Sequence, residues 1–327
     1  MAAKLIIHVG PHKTGTTAIQ KTLLQNRCVL RNNGIYYPEI GFDYYGHHKL
    51  ASSVENFNRT AIDEFCKELN GIDGTIVVSS ENFSRCTTEA VAFFASRLNI
   101  ESISIIYYIR DAIQQMYSWW QESIKHGSDT DILEYVSTSL SQPFSSHILN
   151  PSLYIDSWSS AFGKDSMTGY LYRSIPDVSE HFMNTVLAFP AYEKPANVRT
   201  INKSFDVAAT EVMRQLNVQA LELRNNGKMA PFGIGKMAEP AVKEFIDTLR
   251  VKSEPYVRSL SLSYDHFTLA ALERRIKRSC RKTLRDWTSS EHLFLPRTGV
   301  IRFLDQRLWV SEPTLSNTLR SIAMDNT

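Results

Sequence analysis

The sequence predicts an α/β fold, a parallel sheet of four to five strands flanked by helices, continued by a mainly helical C-terminal part. Three observations lead there. Short β-branched and aromatic runs alternate with longer helical patterns through the first 200 residues. A loop rich in Gly and Thr follows directly on the first of those runs. Beyond about residue 200 the apolar spacing becomes that of amphipathic helices. Alternating strands and helices favour βαβ units, which impose parallel pairing with right-handed crossovers.

Each element follows in order. Lys4–Val9 (KLIIHV) reads as a buried strand that ends in a Gly-containing turn. Thr16–Arg31 reads as one helix with Ile19, Leu23, Leu24 and Leu30 as its apolar residues. The stretch from Tyr36 to Lys49 reads as a loop holding Tyr36, Tyr37, Tyr44 and Tyr45 and the pair His47-His48. Its tyrosines form either a stacking wall for a sugar or a packed hydrophobic loop. Adjacent histidines point apart, which argues against joint metal ligation. Thr75–Ser79 and Ser102–Ile109 are two further strands, with Thr88–Leu98 as a helix between them. Asp111–His126 and Pro151–Phe162 read as helices, and Met167–Tyr172 as a fourth strand. Amphipathic stretches follow near 206–217, 236–251 and 266–287. There is no internal repeat and no Gly/Ser/Pro-rich linker. The chain therefore reads as a single domain over 1–327, with an α/β core over 1–200 and a mainly helical part over 201–327.

Composition narrows the class. The 327 residues are 43% hydrophobic and 21% charged, which excludes disordered, collagenous and coiled-coil chains. Cys28, Cys66, Cys86 and Cys280 lie far apart with no C-x-x-C, so neither a disulfide framework nor a zinc knuckle is expected. They read as reduced thiols in the cytoplasm. The N-terminus offers no apolar region of signal-peptide length, and no uncharged apolar run reaches the roughly 18 residues of a membrane span. Neither a transmembrane segment nor a nucleic-acid partner is expected. The net charge of +2 is unevenly placed: residues 1–163 hold 12 Lys/Arg against 16 Asp/Glu, and residues 164–327 hold 24 against 18. The basic stretch 272–285 reads either as a solvated helix face or as a surface for an anionic partner, including peripheral contact with a membrane.

The sharpest signal is Val9-Gly10-Pro11-His12-Lys13-Thr14-Gly15-Thr16-Thr17, between the first strand and the first helix. Small residues let backbone wrap an anion there. The helix start supplies N–H groups and positive dipole, and the hydroxyls of Thr14, Thr16 and Thr17 add donors. A nucleoside triphosphatase loop reads G-x-x-x-x-G-K-[ST]. Here Gly10 and Gly15 keep that spacing, but Thr16 occupies the lysine's place and the cation has moved inside the loop, to Lys13. A plain Gly-rich turn with a Thr cap would explain only part of this string. A second motif follows the strand Ile105–Ile109: Arg110 at its end, then Ser118 eight residues later in the next helix. Arg110 leaves the carboxyl edge of the sheet, where open α/β sheets bind ligands, and a guanidinium fork suits a phosphate.

On these two motifs the sequence resembles the sulfotransferases that use 3′-phosphoadenosine 5′-phosphosulfate (PAPS). The loop looks most like that of the heparan sulfate N-sulfotransferase domain and of bacterial carbohydrate sulfotransferases. The resemblance covers about residues 4–125 by motif and implies a P-loop-type sheet. It implies that Lys13, Thr14, Gly15, Thr16 and Thr17 hold the 5′-phosphosulfate and that Arg110 and Ser118 hold the 3′-phosphate. PAPS would be the co-substrate and adenosine 3′,5′-bisphosphate (PAP) the product, with no metal required. The acceptor would be a hydroxyl or amine of a carbohydrate or glycolipid. Where the family usually has Pro two after the Arg, this chain has Ala112.

Sulfuryl transfer needs a group that stabilises the leaving oxygen and a base for the acceptor. Lys13 suits the first task. For the second, the heparan branch uses a Glu at the end of the matching strand, here Glu81, while small-molecule sulfotransferases use a His, here His47 or His48. The lysine that follows the Glu in that branch is replaced by Asn82. Glu81 also reads as a cap for the segment after it. Asn202-Lys203-Ser204 looks like a recurrent N-x-S segment of the bacterial group, which would bring Lys203 or Ser204 to the nucleotide or the acceptor. Two other classes remain: a P-loop kinase of a small molecule or nucleoside using ATP–Mg²⁺, and a protein that only binds a nucleotide. The absent lysine after Gly15 argues against the kinase, and Glu81 beside both motifs argues against pure binding.

Overall fold

The computed structural model describes residues 3–194, 205–225, 236–285, 293 and 298–324. In chain order, β1 (Lys4–His8) is followed by α1 (Thr16–Gln25), α2 (Arg27–Asn32), β2 (Ile35–Tyr36), α3 (His48–Glu55), α4 (Arg59–Leu69), β3 (Thr75–Ser79), α5 (Thr88–Arg97) and β4 (Ser102–Ile109). Next come α6 (Ala112–Lys125), α7 (Ile132–Ser141), α8 (Ser152–Phe162), β5 (Met167–Leu171) and the short α9 (Val178–His181). The chain continues through α10 (Val207–Asn225), α11 (Pro240–Lys252), β6 (Val257–Ser263), α12 (Phe267–Cys280), β7 (Thr298–Leu304), α13 (Arg307–Ser311) and α14 (Pro313–Met324). These fall into two compact units. The first holds Met1–Ala112, Phe144–Asn202 and Phe267–Leu295; the second holds Ile113–Pro143, Lys203–His266 and Pro296–Thr327.

The first unit is built on a five-stranded sheet, order β2-β3-β1-β4-β5, with every pair parallel. Leu5, Ile6 and Ile7 are consecutive and buried, as are Ile76, Val77 and Val78, so both faces of the sheet are covered. The chain runs from β1 toward one edge and returns to β4 on the other side of β1. The β1–β4 boundary is therefore the switch point, where loops leave in opposite directions and open a crevice at the carboxyl ends. The segment after α12 runs beside β5: Gly169 N–H donates to Thr283 O (2.7 Å) and Arg285 N–H to Gly169 O (2.9 Å). Helix α12 buries Leu272, Ile276 and Cys280 and pairs Arg275 with Asp156 (3.2 Å) of α8, leaving Arg274, Arg278, Arg281, Lys282 and Arg285 exposed.

The second unit packs α10 against α11 and α14 and carries the antiparallel ribbon β6–β7. Its interior holds a charged pair on α10. Arg214 bonds both oxygens of Glu211 and the carbonyl of Asp129 (2.8 Å), while Trp309 Nε1 donates to Glu211 Oε1 (3.0 Å). Pairing on every side makes this burial tolerable.

Two local readings differ from the structure. The single helix expected over Thr16–Arg31 is broken at Asn26, whose amide donates to the carbonyls of Thr22 (2.9 Å) and Glu193 (2.8 Å) and accepts the Glu193 N–H (2.7 Å). That side chain ties down a distant segment, and α2 starts afresh after it. The tyrosine-rich loop begins on the last residue of the edge strand β2, Tyr36, and ends where α3 begins, at His48. Among the described residues, no helix is long and apolar enough to cross a membrane.

Candidate active site

Strand register assembles the site. His8 on β1 pairs with Ser79 on β3 and with Ile106 on β4. Gly10 stands two residues beyond His8 and Glu81 two beyond Ser79, so both reach the same level. There a Cβ on Gly10 would lie 2.9 Å from the Glu81 Cα, and Gly10 has φ +85°. Only glycine meets both demands. The β1–β4 ladder continues past β1 itself, with Val9 N–H on Ile106 O (3.0 Å) and Tyr108 N–H on Gly10 O (3.1 Å).

The loop then closes on itself, Thr14 Oγ1 donating to Pro11 O (2.6 Å). Gly15, left-handed at φ 77°, opens α1; no side chain caps that helix and no acidic residue occupies its first turn. The first N–H groups and the dipole of α1 are thus open to an anion. Thr16 is buried and Thr17 half-buried beside them.

Arg110 and Tyr172 each follow the last register pair of β4 and β5, Ile109 with Leu171. Arg110 Nη1 donates to Lys13 O (2.9 Å), and its guanidinium carbon stands 5.7 Å from the centre of the Tyr172 ring. The bond matters because Lys13 has φ +66°, a conformation costly for a residue with a Cβ. Arg110 Nε is buried with no hydrogen-bond partner, an orphan donor of the kind a ligand oxygen satisfies. Burial lowers the Arg110 pKa, against the fields of Tyr172 and Asp111.

Glu81 opens a short 3₁₀ turn, Glu81–Arg85, capped by Ser80, whose Oγ accepts the Asn82 N–H (3.2 Å). Glu81 Oε2 accepts from Gln20 Nε2 (2.8 Å), a buried amide on α1. His48, the first residue of α3, places Nδ1 2.9 Å from Ser80 Oγ and 4.0 Å from Glu81 Oε2. Side chains of His48 and Glu81 keep 19% and 16% of their exposure, so both are desolvated yet reachable.

His47 is placed differently. It is fully buried, its Nδ1 accepts the Ser79 N–H (3.2 Å) and its Nε2 meets Pro38 O (3.1 Å), which puts the ring proton on Nε2. Burial pushes its pKa down to about 3. His47 is a neutral brace for the end of β3, and His48 is the histidine beside Glu81. In the loop, burial holds the His12 imidazole below the ordinary range against the Glu81 charge, and it takes His8 to about 4.

Lys13, Thr14, Gly15, Thr16, Thr17, Arg110, Glu81 and His48 therefore all lie at the carboxyl edge of this one sheet. Ser118 lies in the second unit, buried on α6. Lys203 and Ser204 lie outside the described residues. Sequence reasoning missed Gln20, Ser80 and Tyr172. Tyr172 was within reach, since it follows a strand at the binding edge; Gln20 gave only a weak sign, one helical turn after Thr16.

No protein-family model matches the chain, and no curated protein matches its sequence. Four chains among solved structures match it. One is a sulfotransferase from Alicyclobacillus acidocaldarius, 12% identical over 68% of this chain and 96% of that one, with a TM-score of 0.36. Overlap that loose adds nothing to the site, which rests on the geometry above.

Proposed function

We propose that this protein is a PAPS-dependent sulfotransferase acting on a hydroxyl or amine of a carbohydrate-containing acceptor, with Glu81 as base. The observation that carries the reading is the uncapped start of α1 behind a loop that Arg110 grips through the Lys13 carbonyl, with Glu81 packed against Gly10 of the same loop. Backbone N–H groups of α1 with Thr16 and Thr17 hold the 5′-phosphosulfate. The Arg110 guanidinium, whose Nε is buried without a partner, holds the 3′-phosphate.

In the reaction the acceptor's O–H or N–H bond breaks and its proton passes to Glu81, whose Oε2 takes the Gln20 amide. A bond forms from acceptor to sulfur. The bond from sulfur to the bridging oxygen breaks, and its electron pair stays on the phosphate oxygen, where the Lys13 ammonium offsets the charge. His48, anchored on Ser80 Oγ beside the Glu81 carboxylate, touches the acceptor. A groove of about 430 Å³, lined by Gly41, Lys49, Leu50, Ser53, Glu64 and Phe65, offers room for the rest of the acceptor. The exposed cations of α12 and the segment after it supply a surface for an anionic acceptor or lipid headgroup.

Thermal unfolding with PAP and with ATP–Mg²⁺, beside a screen of acceptors with labelled PAPS, tests the assignment. PAP at about 100 times its Kd, without metal, is expected to stabilise the protein by roughly 2.7 kcal/mol. A shift with ATP–Mg²⁺ and none with PAP overturns it in favour of a kinase.

A further inference from the structure

The turn Asp43–Gly46 joins two features that packing does not explain. It is closed in both directions, by Asp43 N–H on Gly46 O (2.7 Å) and Gly46 N–H on Asp43 O (3.1 Å). Its second residue, Tyr44, has φ +53° and is 80% exposed. A bulky aromatic side chain in the left-handed region is an outlier, and residues held that way gather at ligand sites. Asn or Gly would fill this position without strain, and the exposed ring contributes little to the core.

The turn is wired to the site. A Cβ on Gly46 would lie 2.7 Å from Ser79 O and 2.8 Å from the Gln20 amide nitrogen, the amide that holds Glu81. His47 N–H donates to Ser79 O (2.7 Å), and Tyr37, buried below, donates its hydroxyl to Tyr45 O (2.8 Å). Two residues after the turn comes His48. Lys21 Nζ sits 4.4 Å from the centre of the Tyr45 ring, and among the described residues no carboxylate pairs with it.

We infer that the Tyr44-Tyr45 turn is the platform on which the acceptor stacks a sugar ring, with Lys21 taking an anionic substituent of that sugar. The inference rests on the sulfotransferase reading above and adds the residues that choose the acceptor. An exposed tyrosine face offers flat apolar area to the C–H face of a pyranose at low entropic cost. The ammonium beside it favours a carboxylate or sulfate over a neutral group.

The test uses the labelled full chain on an array of acidic and neutral oligosaccharides, with PAP-induced thermal shifts measured on the same preparations. Tyr44→Asn suits the backbone and removes the ring, so folding and the PAP shift are expected to persist while binding of acidic glycans falls about tenfold. Tyr44→Trp is expected to restore it, and Lys21→Gln to abolish the preference for acidic over neutral glycans. Equal glycan binding by Tyr44→Asn and wild type overturns the inference, and so does a wild-type protein that shifts with PAP but binds no glycan. Loss of the PAP shift in wild type instead overturns the sulfotransferase reading.

Discussion

Replacing Gly10 by Ala tests the central geometric claim, that the Gly10–Gly15 loop and Glu81 share one level of the sheet in direct contact. Two costs are expected. The first is the left-handed backbone, φ +85°, at about 1–2 kcal/mol for a residue with a Cβ. The second is overlap: the new Cβ would lie 2.9 Å from the Glu81 Cα, a backbone atom that cannot swing aside, and forced insertion into packed structure costs about 1–3 kcal/mol. Gly34 supplies the control, since it has φ +72° but nothing within 4 Å of the point where a Cβ would stand. Gly34→Ala is expected to cost about 1 kcal/mol after the gain from a stiffer unfolded chain. Gly10→Ala should exceed that by about 1–3 kcal/mol in urea unfolding of the full chain. The same overlap pushes Glu81 away from the loop, and misplacement by about 1 Å costs on the order of 10² in turnover. Gly34→Ala should leave turnover untouched. Equal destabilisation by the two variants, or full turnover in Gly10→Ala, would refute the claim.

Other outcomes follow from the same contacts. Glu81→Gln keeps shape and the room for Gln20 but removes basicity, so turnover should fall by roughly 10² to 10⁴ with PAP affinity intact; near-wild-type turnover, with loss in His48→Ala, would move the base to His48. Arg110→Ala should erase the preference for PAP over the analogue lacking the 3′-phosphate, and should also weaken the fold by about 1–3 kcal/mol because a charged donor to the Lys13 carbonyl is lost; a retained preference in competition binding contradicts its role. His8 and His47 are neutral in the folded chain, with pKa values near 4 and 3, and gain a proton near 6.5 when unfolded. Their stabilisation is complete above pH 6.5 and is lost as pH falls through 4, at order 3 kcal/mol for His8. Urea midpoints that stay flat from pH 7 to about 4.5 would contradict that burial.

By itself the sequence determined β1, β3, β4 and β5 of the parallel sheet and the place of the Gly/Thr loop behind the first of them. Lys4–Val9, Thr75–Ser79 and Ser102–Ile109 are β-branched and aromatic runs of strand length, and Gly10 and Gly15 mark the turn from a strand into a helix. The spacing of Arg110 behind β4 was equally legible, because position after a strand fixes the sheet edge. The β6–β7 ribbon was not drawn from the sequence, although Val257–Ser263 alternates Leu with Ser; its partner lies beyond α12, and pairing over that separation leaves no local mark. Nor did spacing separate His47 from His48. Their roles depend on which ring meets Ser79 N–H and Pro38 O and which meets Ser80 and Glu81, contacts across 9 to 33 positions of chain. The Gln20 hold on Glu81 and the Arg110 hold on Lys13 span 61 and 97 positions. Local patterns record backbone preference and burial, which neighbours in sequence determine. Which polar atoms meet is decided by strand order and register, and only the folded sheet sets those.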